Sequence, residues 1–151
     1  MFTIPMVRIF INSGVNLSDI PSMPVASASL FAAIFGTAYP LISPLIGALG
    51  AFIAGSNTVS NMMFSQFQFE AAHTLGISSA LMVATQAVGA AAGNMIAIHN
   101  VVAASATVGL LGQEGAILRK TIIPTAYYVF VSGIIALIAV YAFNITDPLL
   151  G

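Results

Sequence analysis

Cysteine and tryptophan are missing from this 151-residue chain, and charge is almost missing too. Without cysteine there is no disulfide and no thiolate metal site. Without tryptophan, any aromatic belt at a membrane surface must be built from tyrosine and phenylalanine. Three basic and four acidic residues make up 5% of the sequence, against roughly 25% in a soluble domain. That is too little charge to cover a globular surface in water. A net charge of -1 with no basic cluster argues against nucleic acid as a partner. No dinucleotide fingerprint, P-loop or zinc-protease motif occurs, so neither a cofactor nor an enzymatic activity is expected.

What is present is apolar. Hydrophobic residues make up 59% of the chain, and the mean hydropathy is +1.04. The lipid bilayer is therefore a partner, and the chain reads as an all-α membrane protein. Its charged residues are Arg8, Asp19, Glu70, Glu114, Arg119, Lys120 and Asp147. They leave three charge-free spans. Residues 20–69 as one helix would be ~75 Å long and residues 71–113 ~65 Å, against a hydrocarbon core of ~30 Å. Neither is a plain crossing. Residues 121–146 fit one tilted helix, with 121–143 as its membrane part. Residues 1–12 are apolar around Arg8, lack a cleavage site, and read as the end of a helix whose beginning is missing.

Within the first long span, Pro40 and Pro44 mark a helix end, so 24–41 is expected to cross. Residues 43–69 then form a re-entrant hairpin of two short helices, 43–55 and 59–69, around a polar tip at Gly55-Ser56-Asn57-Thr58. The second long span, 77–111, is interrupted at Gly93-Asn94, with His99 and Asn100 close by. It reads as a discontinuous helix, or as two crossings joined by a tight turn. Paired interruptions of apolar segments point to a transporter binding site. Arg119 and Lys120 place the start of the last helix in the cytoplasm. The Glu70–Gly76 loop and Asp147 then fall outside.

The tip carries the chemistry. Ser56, Asn57, Thr58, Ser60 and Asn61 put five polar side chains into an apolar stretch, offering amide and hydroxyl groups. A half-helix starting near Val59 would aim free N–H groups and a positive dipole end at the tip, which suits a carboxylate. The bland alternative is that these groups hold helices together. Gly93, Asn94 and Asn100 are the matching candidates at the second break. His99 is an intramembrane ionisable group, and histidine in water titrates at about 6.5, which makes it the candidate for proton coupling. A neutral, helix-bridging histidine is the competing reading. Gln86 reads as an interhelical hydrogen bond, the small residues 87–93 as close packing, and His73 as solvated.

Two stretches carry a resemblance. Residues 47–69 read GALGAFIAGSNTVSNMMFSQFQF, and 86–129 read QAVGAAAGNMIAIHNVVAASATVGLLGQEGAILRKTIIPTAYYV. Both resemble the C-terminal region of the L-lactate permease family, and Asn12-Ser13-Gly14 and Ser22-Met23-Pro24 fit the same region. The resemblance implies uptake of L-lactate, and often glycolate, with protons across the bacterial plasma membrane. Ser56-Asn57-Thr58 is also similar to the hairpin-tip motif of the wider ion-transporter superfamily, which includes sodium-coupled dicarboxylate symporters. That likeness implies substrate contact at Ser56, Asn57 and Thr58, and a matching broken helix around Gly93, Asn94, His99 and Asn100. It leaves proton and sodium coupling both open. Members of the family are several times longer, so the expectation is a fragment that needs the missing N-terminal half. The alternative is a non-transporting membrane subunit or an inactive gene remnant.

Overall fold

A computed structural model describes residues 3–143 together with Ile145 and Asp147. Met1, Phe2, Asn144 and Thr146, which belong to the terminal segments expected above, lie outside the described residues. Among the described residues seven α-helices follow one another: α1 (Thr3–Ile11), α2 (Met23–Phe35), α3 (Tyr39–Ala54), α4 (Asn57–Leu75), α5 (Ser79–Gly93), α6 (Ile98–Thr107) and α7 (Glu114–Tyr141). No strand occurs among the described residues. Met23–Ala54, read across a short 3-10 turn, and α7 are each long and apolar enough to cross a membrane. Bent by 45° at their break, α5 and α6 add a third span if the pair counts as one. The discontinuous helix is thus present in the fold.

The expected boundaries shift in several places; the last helix starts at Glu114 rather than at 121, and the broken pair covers 79–107 rather than 77–111. The first helix ends at Phe35 rather than at 41, because Gly36 takes φ +48° and ψ -122°, a conformation that no continuing helix adopts. Pro40 instead sits in the first turn of α3, where its missing N–H costs nothing. Pro44 lies inside α3 and does not end it. The hairpin arms are consequently Tyr39–Ala54 and Asn57–Leu75, longer than the expected 43–55 and 59–69. At ~1.5 Å per residue they rise ~24 and ~28 Å.

α3 is the hub. Ser60 and Gln68 of α4 bond to the carbonyls of Gly47 and Ser43, so α3 and α4 run antiparallel. Gly89 and Gly93 of α5 face Pro44 and Ala48, so α3 and α5 run parallel. Gly133 of α7 meets Leu41 and Val129 packs with Ala48, so α7 runs antiparallel to α3. The α3–α5 seam is built from glycine for a physical reason. A Cβ on Gly89 would overlap the Pro44 carbonyl, and one on Gly93 the Ala48 carbonyl. Backbones this close are how membrane helices gain dispersion contact without a hydrophobic driving force.

The remaining core is made of small residues and a few rings. Ala28, Tyr39, Phe67, Ala71, Ala72, Met82 and Ala136 are buried together, and Phe31 meets Phe67 edge-on at 5.3 Å. At the far end from the hairpin tip, the Asp147 carboxylate accepts the Ser79 N–H at 2.6 Å. It thereby caps α5 from beyond α7.

Candidate functional site

The hairpin turns in two residues. Gly55 closes α3 with φ +63°, and its N–H reaches the Ala51 carbonyl at 2.7 Å. Ser56 is extended, and its Oγ accepts the Val59 N–H at 3.3 Å as the N-cap of α4. The N–H groups of Asn57 and Thr58 then have no acceptor among the described residues, and they stand at the positive end of α4. Thr58 is exposed, while Ser56 and Asn57 are half-buried. Asn61 lies one turn further on, and its Nδ2 donates to Asn57 Oδ1 at 3.2 Å. Its own Oδ1 is enclosed and has no partner among the described residues.

The second break is built differently. α5 ends at Gly93, and Asn94 to Ile96 make short turn bonds to the carbonyls of Ala90, Ala92 and Gly93. Ala97, extended and fully buried, precedes α6 without any side-chain cap. The first N–H groups of α6 are therefore open as well.

These two interruptions converge. A Cβ built on Gly55 would coincide with the His99 imidazole, so His99 covers the hairpin turn. Asn100 Nδ2 lies 3.5 Å from the Gly55 carbonyl and 3.3 Å from that of Asn94, bridging the tip and the break with long contacts. The positive ends of α4 and α6 and the carbonyl ends of α3 and α5 thus share one locality. Such a place can hold an anion on N–H groups and a proton or cation on carbonyl and amide oxygens. Gly93 stands apart from the other candidates, because it is buried against Ala48 in the α3–α5 seam. Among the described residues, no cluster of metal-binding side chains occurs.

Behind the tip lies a polar chain of which the sequence reading picked out Gln86, as an interhelical bond, and Ser60, as part of the tip. Tyr39 donates its hydroxyl to Gln68 Oε1 at 2.5 Å, and Gln68 Nε2 reaches Gln86 Oε1 at 2.9 Å. Gln86 Nε2 reaches Ser60 Oγ at 3.1 Å, which donates to the Gly47 carbonyl at 2.9 Å. Ser43 and Thr85 share a further bond at 2.6 Å. All these side chains are buried. Ser60, counted with the tip on sequence grounds, therefore belongs to this clamp. The spacing Tyr39, Ser43, Gly47 on one arm and Ser60, Gln68 on the other carried the signal: polar or small residues recur every four or eight positions on one helix face.

Apolar spans, a two-residue hairpin turn and a broken helix meeting it define a multi-pass integral membrane protein, in bacteria one of the inner membrane. The sequence family described as L-lactate permease matches residues 1–143, and the chain belongs to that family. A Haemophilus influenzae protein named "Putative L-lactate permease" is 46% identical over 113 residues, which is 75% of this chain and 21% of that protein. The L-lactate permease of Escherichia coli K12 is 34% identical over 75% of this chain and 20% of its own length. The glycolate permease GlcA of the same strain is 35% identical over 72% of this chain and 20% of its own length. The chain spans about a fifth of the curated relatives it matches. No solved structure matches it.

Proposed function

We propose that this chain forms part of the substrate site of a secondary transporter that takes up L-lactate, and glycolate as a second short 2-hydroxy acid, in symport with protons. The observation that carries the reading is the meeting of Gly55 with His99 and Asn100, which unites the two polar interruptions. In this reading the carboxylate lies on the open N–H groups of Asn57 and Thr58, with the side chains of Ser56, Asn57, Thr58 and Asn61 around it. Asn94 and Asn100 approach from the broken helix, and Gly93 contributes by letting α5 end tight against α3. Donors fixed at helix ends bind an anion without an arginine.

His99 takes and releases the coupled proton. It is exposed and lies against the turn, so a change in its charge is felt where the carboxylate sits. The rest of a longer protein supplies the opposing half of the site, as paired repeats do in transporters of this build. The names of the relatives support monocarboxylates as substrates.

The test is uptake of labelled L-lactate into vesicles by this chain completed with the remainder of a permease. Asn57→Ala is expected to raise half-saturation at least tenfold, about the loss of one hydrogen bond to a charged group. Unchanged half-saturation and rate would remove the tip from the site.

A further inference from the structure

A groove of about 800 Å³ runs between α3 and α7, and Ile96 of the α5–α6 break also lines it. It is lined by Leu45, Ala48 and Phe52 of α3 and by Ala126 and Phe130 of α7. Nothing acidic lines it, and Arg119 stands at one end. The direction is fixed by the antiparallel packing of α3 and α7. Phe52 lies at the Arg119 end, and Leu41, beside Gly133, lies at the other. Arg119 forms no ion pair among the described residues, and Lys120 next to it is exposed.

We infer that this groove binds one acyl chain of an anionic phospholipid, with the headgroup phosphate on Arg119. Length selects the occupant. From Arg119 to Phe130, α7 rises ~16 Å, which is about half of the ~30 Å hydrocarbon core. The groove is therefore one leaflet deep. Charge selects the headgroup. A guanidinium at the mouth of an apolar slot pairs with a phosphate oxygen and attracts a lipid of net negative charge over a zwitterionic one. Arg119 and Lys120 lie in the second turn of α7, and basic residues at that end of a membrane helix put the mouth at the cytoplasmic surface, where they meet headgroups.

The absence of tryptophan makes the test direct. Phe130→Trp puts a single fluorophore at the inner end of the groove, and Ile34→Trp puts one on the exposed face of α2. Each variant is reconstituted in phosphatidylcholine vesicles containing a minor fraction of phosphatidylglycerol, with bromine on the acyl chains of one lipid or the other. The tryptophan at position 130 is expected to be quenched by brominated phosphatidylglycerol about fivefold beyond its mole fraction, the equivalent of the ~1 kcal/mol a basic residue gains near anionic lipid. The tryptophan at position 34 should follow mole fraction alone. Arg119→Gln should remove the preference and Arg119→Lys should keep most of it. Quenching at position 130 by mole fraction alone would reduce the groove to ordinary lipid contact. No quenching by either lipid would mean that protein fills it. A preference that survives Arg119→Gln would overturn the assignment of the headgroup site.

Discussion

The imidazole of His99 occupies the space that a side chain on Gly55 would need. One residue ends the first arm of a hairpin, the other opens the second half of a broken helix, and they are in contact although 43 intervening residues separate them in the sequence. Gly55 therefore answers to two demands at once. Its φ of +63° is one that L side chains rarely adopt, and its missing Cβ is where the histidine lies.

Gly55→Ala should destabilise the chain by about 1–3 kcal/mol from backbone strain alone, with a further loss from displaced histidine. Denaturant titration of the reconstituted protein, followed by circular dichroism, measures the sum. Adding His99→Gly should recover the steric part and leave the strain. If the double variant is no more stable than Gly55→Ala, the contact carries no energy.

His99→Ala should leave exchange of labelled for unlabelled L-lactate running in the completed transporter, while uptake driven by an imposed pH gradient falls to the undriven level. Exchange needs the carboxylate site but no net proton movement. Uptake that still follows the pH gradient would take proton coupling away from His99.

Gln86→Leu should cost about 1–3 kcal/mol, because it leaves the amide of Gln68 short of an acceptor in an apolar interior. Gln68→Leu should cost a similar amount. Both together should cost clearly less than the sum, since the second change removes the orphan left by the first. Additive losses in the same titration would show that the polar chain is not one unit.

Gly89→Ala should push α5 off α3 by overlap with the Pro44 carbonyl, with a loss of about 1–3 kcal/mol typical of overpacking. Ala87→Gly, on a half-buried position of the same helix, should cost only the helix propensity of about 1 kcal/mol. Equal losses would argue against a tight seam at Gly89.

Charge spacing against bilayer thickness made the membrane class and the two interruptions legible from the residues alone. Gly55 and Gly93-Asn94 announced the breaks, since glycine and asparagine favour helix ends. The prolines misled for a clear reason. Pro40 fits a first helical turn as well as a break, and the true break lies at Gly36, whose positive φ no composition reveals. The second arm was underestimated because Glu70, the charge that closes the apolar span, reads as its end, whereas α4 runs on to Leu75. Gln68 is in fact fully buried and paired across α3 and α5. The contact of His99 with Gly55 was out of reach, because sequence spacing does not say how two breaks are placed in space.

The clamp of Tyr39, Gln68, Gln86 and Ser60 also has a mechanical side. Its bonds cross three helices, and the glycine seam beside it allows no sliding without backbone collision. α3, α4 and α5 therefore respond to force as a single stiff plate. The joint at residues 94–97, where α5 and α6 meet at 45°, lies outside that clamp. A change of bend at that place would shift His99, which lies against Gly55, relative to the hairpin turn while the plate stays still.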